Sequence, residues 1–163
     1  MRIELDDLSR PAVHELLREH LTNMHEVSPA DRVFALDLAK LRAPDITFWT
    51  VWEGDLLLGC GALRELTPRH GEVKSMRTPA KHRRRGAGRA VLAQIVATAR
   101  ARGYSLLSLE TGSHPNFLVA QQLYRSFGFE DCGPFADYQA DPNSVFLSLK
   151  LAEAADEARL GSG

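Results

Sequence analysis

Apolar positions along this chain keep two different periods, and the switches between them mark its elements. Residues 1–6 alternate weakly and predict a short strand. Val13, Leu16, Leu17, Leu21 and Met24 then recur at helical spacing, with Ser9 as the expected N-cap. Ser28-Pro29-Ala30-Asp31 predicts a second helix start, and Phe34, Leu38 and Leu41 give it an apolar stripe that Pro44 ends. Strand chemistry follows. The β-branched and aromatic run 46–52 and the run 56–66, joined by Glu53-Gly54-Asp55, predict a hairpin. Gly59 and Gly61 inside it point to a bulge or a close backbone approach. A turn at 68–71 leads into a strand at 72–78.

The second half repeats the switch. Val91, Leu92, Ile95, Val96 and Ala99 form one face of a helix over 86–102, closed by Gly103. Residues 104–110 predict a buried strand. His114-Pro115 opens another helix, with Phe117, Ala120, Leu123, Tyr124 and Phe127 on one face and Gly128 as its stop. Strands at 129–132 and 144–151 complete the pattern. The order β-α-α-β-β-β-α-β-α-β-β predicts an α/β (α+β) domain over 1–151: a mixed sheet with helices on both faces. Strand 72–78, helix 86–102 and strand 104–110 form one βαβ unit, for which a right-handed crossover is expected. Residues 152–163 read as a polar C-terminal tail.

Composition narrows the function classes. The chain has 163 residues with 44% hydrophobic and 25% charged, enough apolar material for one domain core. A net charge of -1 argues neither for a nucleic-acid partner nor for an anionic membrane surface, and neither is expected. No apolar run approaches the about 20 residues that a bilayer span requires. The first residues lack a basic-then-apolar signal pattern, so a cytoplasmic location is expected. Cys60 and Cys132 lack metal-ligand spacing, and neither a metal nor a disulfide scaffold is expected.

The segment that carries chemistry is 78–89, Thr-Pro-Ala-Lys-His-Arg-Arg-Arg-Gly-Ala-Gly-Arg, between a predicted strand and a predicted helix. Glycines at a helix start let the backbone approach a ligand, and the first-turn N–H groups with the helix dipole favour a phosphate. The arginines add positive charge at the same point, so a ligand bearing a pyrophosphate is expected. A P-loop would need Lys and Ser/Thr after the last glycine, where Arg89-Ala90 stand. A dinucleotide fingerprint would need a third glycine where Val91 stands.

Arg83-x-x-Gly86-x-Gly88 resembles the loop with which the GNAT superfamily of N-acetyltransferases wraps the pyrophosphate of coenzyme A. Ala120-x-x-Leu123-Tyr124-x-x-x-Gly128-Phe129 is similar to a second segment of that superfamily, and strand Leu107–Glu110 matches its fifth strand. The resemblance covers residues 56–151 and implies a mostly antiparallel six- to seven-stranded sheet with splayed central strands. It implies acetyl-CoA as co-substrate and a primary amine as acceptor. It assigns Met76, Arg77 and Thr78 to the pantetheine arm. Arg83, Arg84, Arg85, Gly86, Ala87, Gly88 and Arg89 fall to the pyrophosphate, and Tyr124 to the general acid. The chain departs from the family in three places, one of them the connection Thr111-Gly112-Ser113-His114-Pro115, which is longer than usual. Pro79 lies one residue further from Arg83 than usual, and Phe117 stands where many members have the asparagine that touches coenzyme A, with Asn116 one position away.

Acetyl transfer needs a base for the ammonium, a donor for the charge that develops on the thioester oxygen, and a proton for the departing thiolate. Glu72 is the first candidate base and Glu110 the second, by their strand positions in relatives of the superfamily. His70 and His82 read as solvated surface residues. His20, Met24 and His25, with Trp49 or Trp52, either line the acceptor site or serve the core. Arg64 and Lys74 fit a carboxylate-bearing small molecule and equally a solvated face. A small-molecule amine is the expected partner, with protein or peptide acetylation and a non-catalytic coenzyme A-binding module as alternatives. A homodimer is compatible with the sequence.

Overall fold

The structure, a computed structural model, describes residues 1–24 and 37–151, the side chains of 20–24 excepted. Seven strands and three helices are delimited: β1 (Arg2–Leu5), α1 (Pro11–Met24), β2 (Ile46–Glu53), β3 (Leu56–Thr67), β4 (His70–Arg77), α2 (Ala87–Ala101), β5 (Leu106–Gly112), α3 (Leu118–Ser126), β6 (Glu130–Asp131) and β7 (Ser144–Lys150). Residues 37–41 are also helical. The expected second helix start at Ser28-Pro29, with Phe34, lies outside the described residues, as do His25 and 152–163. Hydrogen bonding orders the strands β1-β2-β3-β4-β5-β7-β6. β1 runs antiparallel to β2, and β7 antiparallel to both β5 and β6. The β4–β5 pair is parallel, and parallel neighbours need a long crossover, which α2 provides. Its register runs from His70↔Leu106 to Glu72↔Ser108.

Several element ends differ from the sequence pattern, each for a local reason. Helix α1 begins at Pro11, and the carbonyl of Arg10 accepts from Val13 and His14. Proline at the first helical position is therefore the start signal, and Ser9 is not the cap. The Ser9 hydroxyl donates to Asp7 instead. β4 begins at His70, so the turn before it has two residues fewer than expected. The helix expected from His114 opens as a 3-10 turn, Pro115–Phe117, in which His114 Nδ1 accepts the Asn116 N–H at 3.1 Å. Gly103 and Gly128 stop α2 and α3 as expected, at φ 82° and 99°. Both ends are Schellman motifs: Tyr104 N–H bonds back to Ala99, and Phe129 N–H to Tyr124.

Contacts gather the chain into two compact units. The first holds Met1–Leu63 and Ser75–Ala93. Its core sets Val13, Leu16 and Leu17 of α1, with Leu38 and Leu41, against Phe48 and Trp52 of β2 and Leu57 of β3. The second holds Arg64–Lys74 and the chain from Gln94 onward. There Leu107, Leu109, Leu147 and Leu149 are buried, with Ile95, Tyr104 and Phe129 among the fully buried side chains. Alternation along a strand sends every second residue to the opposite face. His70, Glu72 and Lys74 on β4 and Ser108 and Glu110 on β5 therefore share a face, with Leu106 beside His70.

Candidate active site

The first unit carries the glycine-arginine segment. A 3-10 turn, Ala80–His82, follows β4, with His82 N–H donating to Pro79 O at 2.9 Å. Arg84 takes φ 68° and Gly86 φ 84°, so two left-handed residues flank Arg85. Such a conformation costs a non-glycine residue about 1 kcal/mol. It is tolerable at Gly86 because no Cβ is present. The Gly86 carbonyl accepts Ala90 N–H at 3.0 Å, so helix α2 starts directly after it. First-turn N–H groups, those of Ala87 and Gly88 among them, have no partner within the helix. Turns of this handedness with a helix start make an anion-binding concavity, and the exposed Arg83, Arg84 and Arg85 lie in the same short segment. These residues fit the pyrophosphate of coenzyme A.

The strand that leads there is distorted. Ser75, within β4, sits at φ 55°, and its carbonyl accepts the Cys60 thiol at 3.4 Å. Met76, Arg77 and Thr78 follow it half-buried, and an Arg77 guanidinium nitrogen donates to Met76 O at 2.8 Å. Opposite them stands Gly59. A Cβ there would lie 3.0 Å from Arg77 O and 3.2 Å from Ala87 Cβ. The close backbone approach expected at Gly59 is thus real: any larger residue would push the strand end and the helix start apart. Burial pushes the Cys60 thiol up to about 12, which marks it as packing rather than chemistry.

The second unit carries the carboxylates. Glu72 is only 1% exposed. Its Oε2 accepts the Tyr138 hydroxyl at 2.6 Å, and its Oε1 makes no hydrogen bond. Arg64 approaches Oε1 at 3.8 Å and Lys74 approaches Oε2 at 3.7 Å, both beyond hydrogen-bond distance. His70 bonds the Ser108 hydroxyl at 2.7 Å, and burial pulls its imidazole below the ordinary value against the pull of Glu72. His70 is therefore a half-buried member of this face, not a solvated turn residue. Burial first, then the bond to Glu72, pushes the Tyr138 phenol far above its usual range, so it stays a donor. Phe135 packs on His70, Tyr138 and Phe146 with ring centroids 5.0–6.0 Å apart. Tyr138 and Phe135 come from the irregular connection between β6 and β7, where no motif or spacing marks them.

Glu110 lies on the same face, exposed, and accepts the Ser144 hydroxyl at 3.3 Å. Asn116 is exposed, and its backbone N–H is held by His114. Tyr124 is buried on α3 and meets Phe129 edge-on, with centroids 6.0 Å apart. The Tyr124…Gly128-Phe129 spacing thus has a mechanical reason, since the helix stop brings that pair together. Trp49 and Trp52 are each 4% exposed. The Trp52 indole donates to Thr50 and Arg10 lies over its ring, so both tryptophans serve the core. No helix among the described residues is long and apolar enough to cross a membrane.

The chain is similar to known proteins along most of its length. The sequence pattern of the Acetyltransferase (GNAT) family matches residues 10–129. The uncharacterized N-acetyltransferase YsnE of Bacillus subtilis (strain 168) is 56% identical, over 93% of this chain and 100% of its own. YedL of Escherichia coli (strain K12), another uncharacterized N-acetyltransferase, is 50% identical over 93% and 95%. The IAA acetyltransferase of Azospirillum brasilense is 38% identical over 86% and 91%. Among solved structures, a candidate acyl-CoA N-acyltransferase of Klebsiella pneumoniae superposes with a TM-score of 0.74 at 28% identity, covering 93% of this chain and 97% of that one. YncA of Salmonella typhimurium, solved with acetyl-CoA, shares the fold at a TM-score of 0.70 and 16% identity, over 94% and 95%. Family pattern over residues 10–129 and relatives and fold over 93% of the chain agree: it belongs to the GNAT family of N-acetyltransferases and draws its acetyl group from acetyl-CoA.

Proposed function

We propose that the chain acetylates the primary amine of a small molecule. The observation that carries this reading is the Glu72 carboxylate: buried, bonded on one oxygen by Tyr138 and unbonded on the other. A buried acceptor atom without a donor is costly, and an ammonium or a water relaying its proton supplies one. So confined a carboxylate suits a slender amine better than a folded protein surface.

Gly86, Ala87, Gly88 and the surrounding arginines hold the pyrophosphate, and Met76 to Thr78 hold the pantetheine arm. Acetyl-CoA supplies an activated acetyl thioester. Glu72 receives a proton from the bound ammonium, directly at Oε1 or through water, and leaves the nitrogen lone pair free to attack. The nitrogen bonds to the thioester carbon, the C–S bond breaks as Tyr124 donates its phenolic proton to the departing thiolate, and the second nitrogen proton passes to solvent, from which Tyr124 recovers one. The products are the amide and the free thiol, with one proton released. Glu110 is the second candidate base, at the exposed end of the same face. Thiol release from acetyl-CoA is the test, with a panel of small primary amines run beside peptide N-termini and protein lysines. Release with peptides or proteins alone would overturn the small-molecule reading. Tight coenzyme A binding without release for any acceptor would favour the non-catalytic binding module.

A further inference from the structure

We infer that the acceptor is a zwitterion: an amine that also carries a carboxylate, read by Lys74 with Arg64 beside Glu72. This rests on the proposed function and names the substrate class of that same site. Three observations in the second unit carry it.

First, the face has alternating charge. Glu72 and Glu110 supply carboxylates, while Lys74 and Arg64 supply cations within 3.8 Å of Glu72. Such a pattern matches a ligand bearing one charge of each sign better than a simple alkylamine, which leaves the cations facing a positive ligand. Second, Lys74 is placed near Glu72 without a hydrogen bond to it. The Lys74 ammonium has three donors and stands 3.7 Å from an oxygen that Tyr138 already occupies at 2.6 Å. The Lys74 and Arg64 side chains stay 31% and 41% exposed, against 2% for Glu72. Both side chains reach solvent, whereas the carboxylate beside them is withdrawn from it. Third, Glu72 Oε1 is buried and lacks a hydrogen bond, which fixes where the amine end is received. The ligand's ammonium pairs with Glu72 and its carboxylate with Lys74 and Arg64. The Phe135, Tyr138 and Phe146 rings stand against its carbon skeleton.

The test is a matched panel with acetyl-CoA: amino acids and ω-amino acids such as 4-aminobutyrate, each against its carboxamide and its decarboxylated amine. The acids are expected to exceed their neutral counterparts in kcat/KM by about tenfold or more, mainly through KM. Lys74→Met is expected to lower the acids more than the carboxamides, so that the ratio of their kcat/KM values falls toward one. Arg64→Met should act in the same direction, and calorimetric binding of the acids in the presence of coenzyme A should follow both. Equal rates for acids and carboxamides, or a Lys74→Met loss shared equally by both, would overturn the inference. So would a protein that binds acetyl-CoA and neither binds nor acetylates any acid. Acetylation of neutral amines alone sinks the zwitterion and leaves the proposed function standing. Failure to bind acetyl-CoA sinks both.

Discussion

The segment 83–89 and the Glu72 face, proposed to serve cofactor and acceptor, are built on opposite principles. The first is a backbone device. Left-handed Arg84 and Gly86, a helix start and neighbouring arginines lie within one short stretch. The second is a side-chain device, assembled from Arg64 on β3, His70 to Lys74 on β4, Ser108 and Glu110 on β5, and Tyr138 from an irregular connection. Backbone N–H groups need only the right turn to present themselves to an anion. Side chains that share a proton must be brought together from afar and shielded from water, so their chemistry exists only once the sheet has formed.

That contrast can be broken at either end. Gly88→Val sets a branched side chain over the first-turn N–H groups, and calorimetry on the folded variant should find coenzyme A affinity abolished. Unchanged affinity would remove the segment from the cofactor site. Tyr124→Phe keeps the ring against Phe129 and should lower kcat by about 10²–10⁴ with acetyl-CoA affinity nearly intact. A loss of affinity instead would make Tyr124 a packing residue. Glu72→Gln should cost about 10² in rate at neutral pH, and the defect should shrink as pH rises toward the amine's own pKa, near ~10. Glu110→Gln should show a smaller, pH-flat loss, and the reverse pattern in the two pH–rate profiles would exchange their roles.

Smaller effects sharpen the comparison. Tyr138→Phe removes the donor to Glu72 Oε2 and should destabilise the fold by about 1–2 kcal/mol in denaturant melts. It should also lower turnover with Glu72 present and have little further effect on turnover in Glu72→Gln. Independent, additive losses would show that Tyr138 does not act through Glu72. His70 is the gentlest probe. Its folded pKa lies below the unfolded value near ~6.5, so the unfolded chain binds more protons in acid. Its contribution to stability is present above about pH 6.5 and is lost as pH falls through the folded value. Melting curves of His70→Gln should therefore depend less on pH between 5 and 7 than those of the parent.

The same contrast decides what the sequence could reveal. Glycine with adjacent arginines at a strand–helix junction is a local signal, and so are the stops at Gly103 and Gly128. Apolar periodicity delimited α2, β2, β3 and β7 to within a residue or two, because each buries one continuous face. Ser9 misled because Pro11 sets the first turn of α1 without a side-chain cap. Ser75 gave no sign, since serine within a strand does not announce a left-handed backbone. His70 and Tyr138 were hidden for a further reason. His70 reads as part of a turn, and Tyr138 lies in a stretch with no period at all. Only register, His70 beside Leu106 and Glu72 beside Ser108, and the fold of residues 132–143 bring them to one carboxylate. Arg64 and Lys74 were visible as charges on adjacent strands, but not as flanks of a buried acid.

Phe135 and Tyr138 sit in a connection free of regular structure, between the two-residue strand β6 and β7. Such a segment tolerates substitution and insertion, because no ladder of hydrogen bonds depends on its sequence. The residues beside the acid can therefore diverge among descendants while the glycine-arginine turn stays as it is. A lineage built this way can try out new amines one loop at a time, and an engineer who wishes to redirect the enzyme has a natural place to cut.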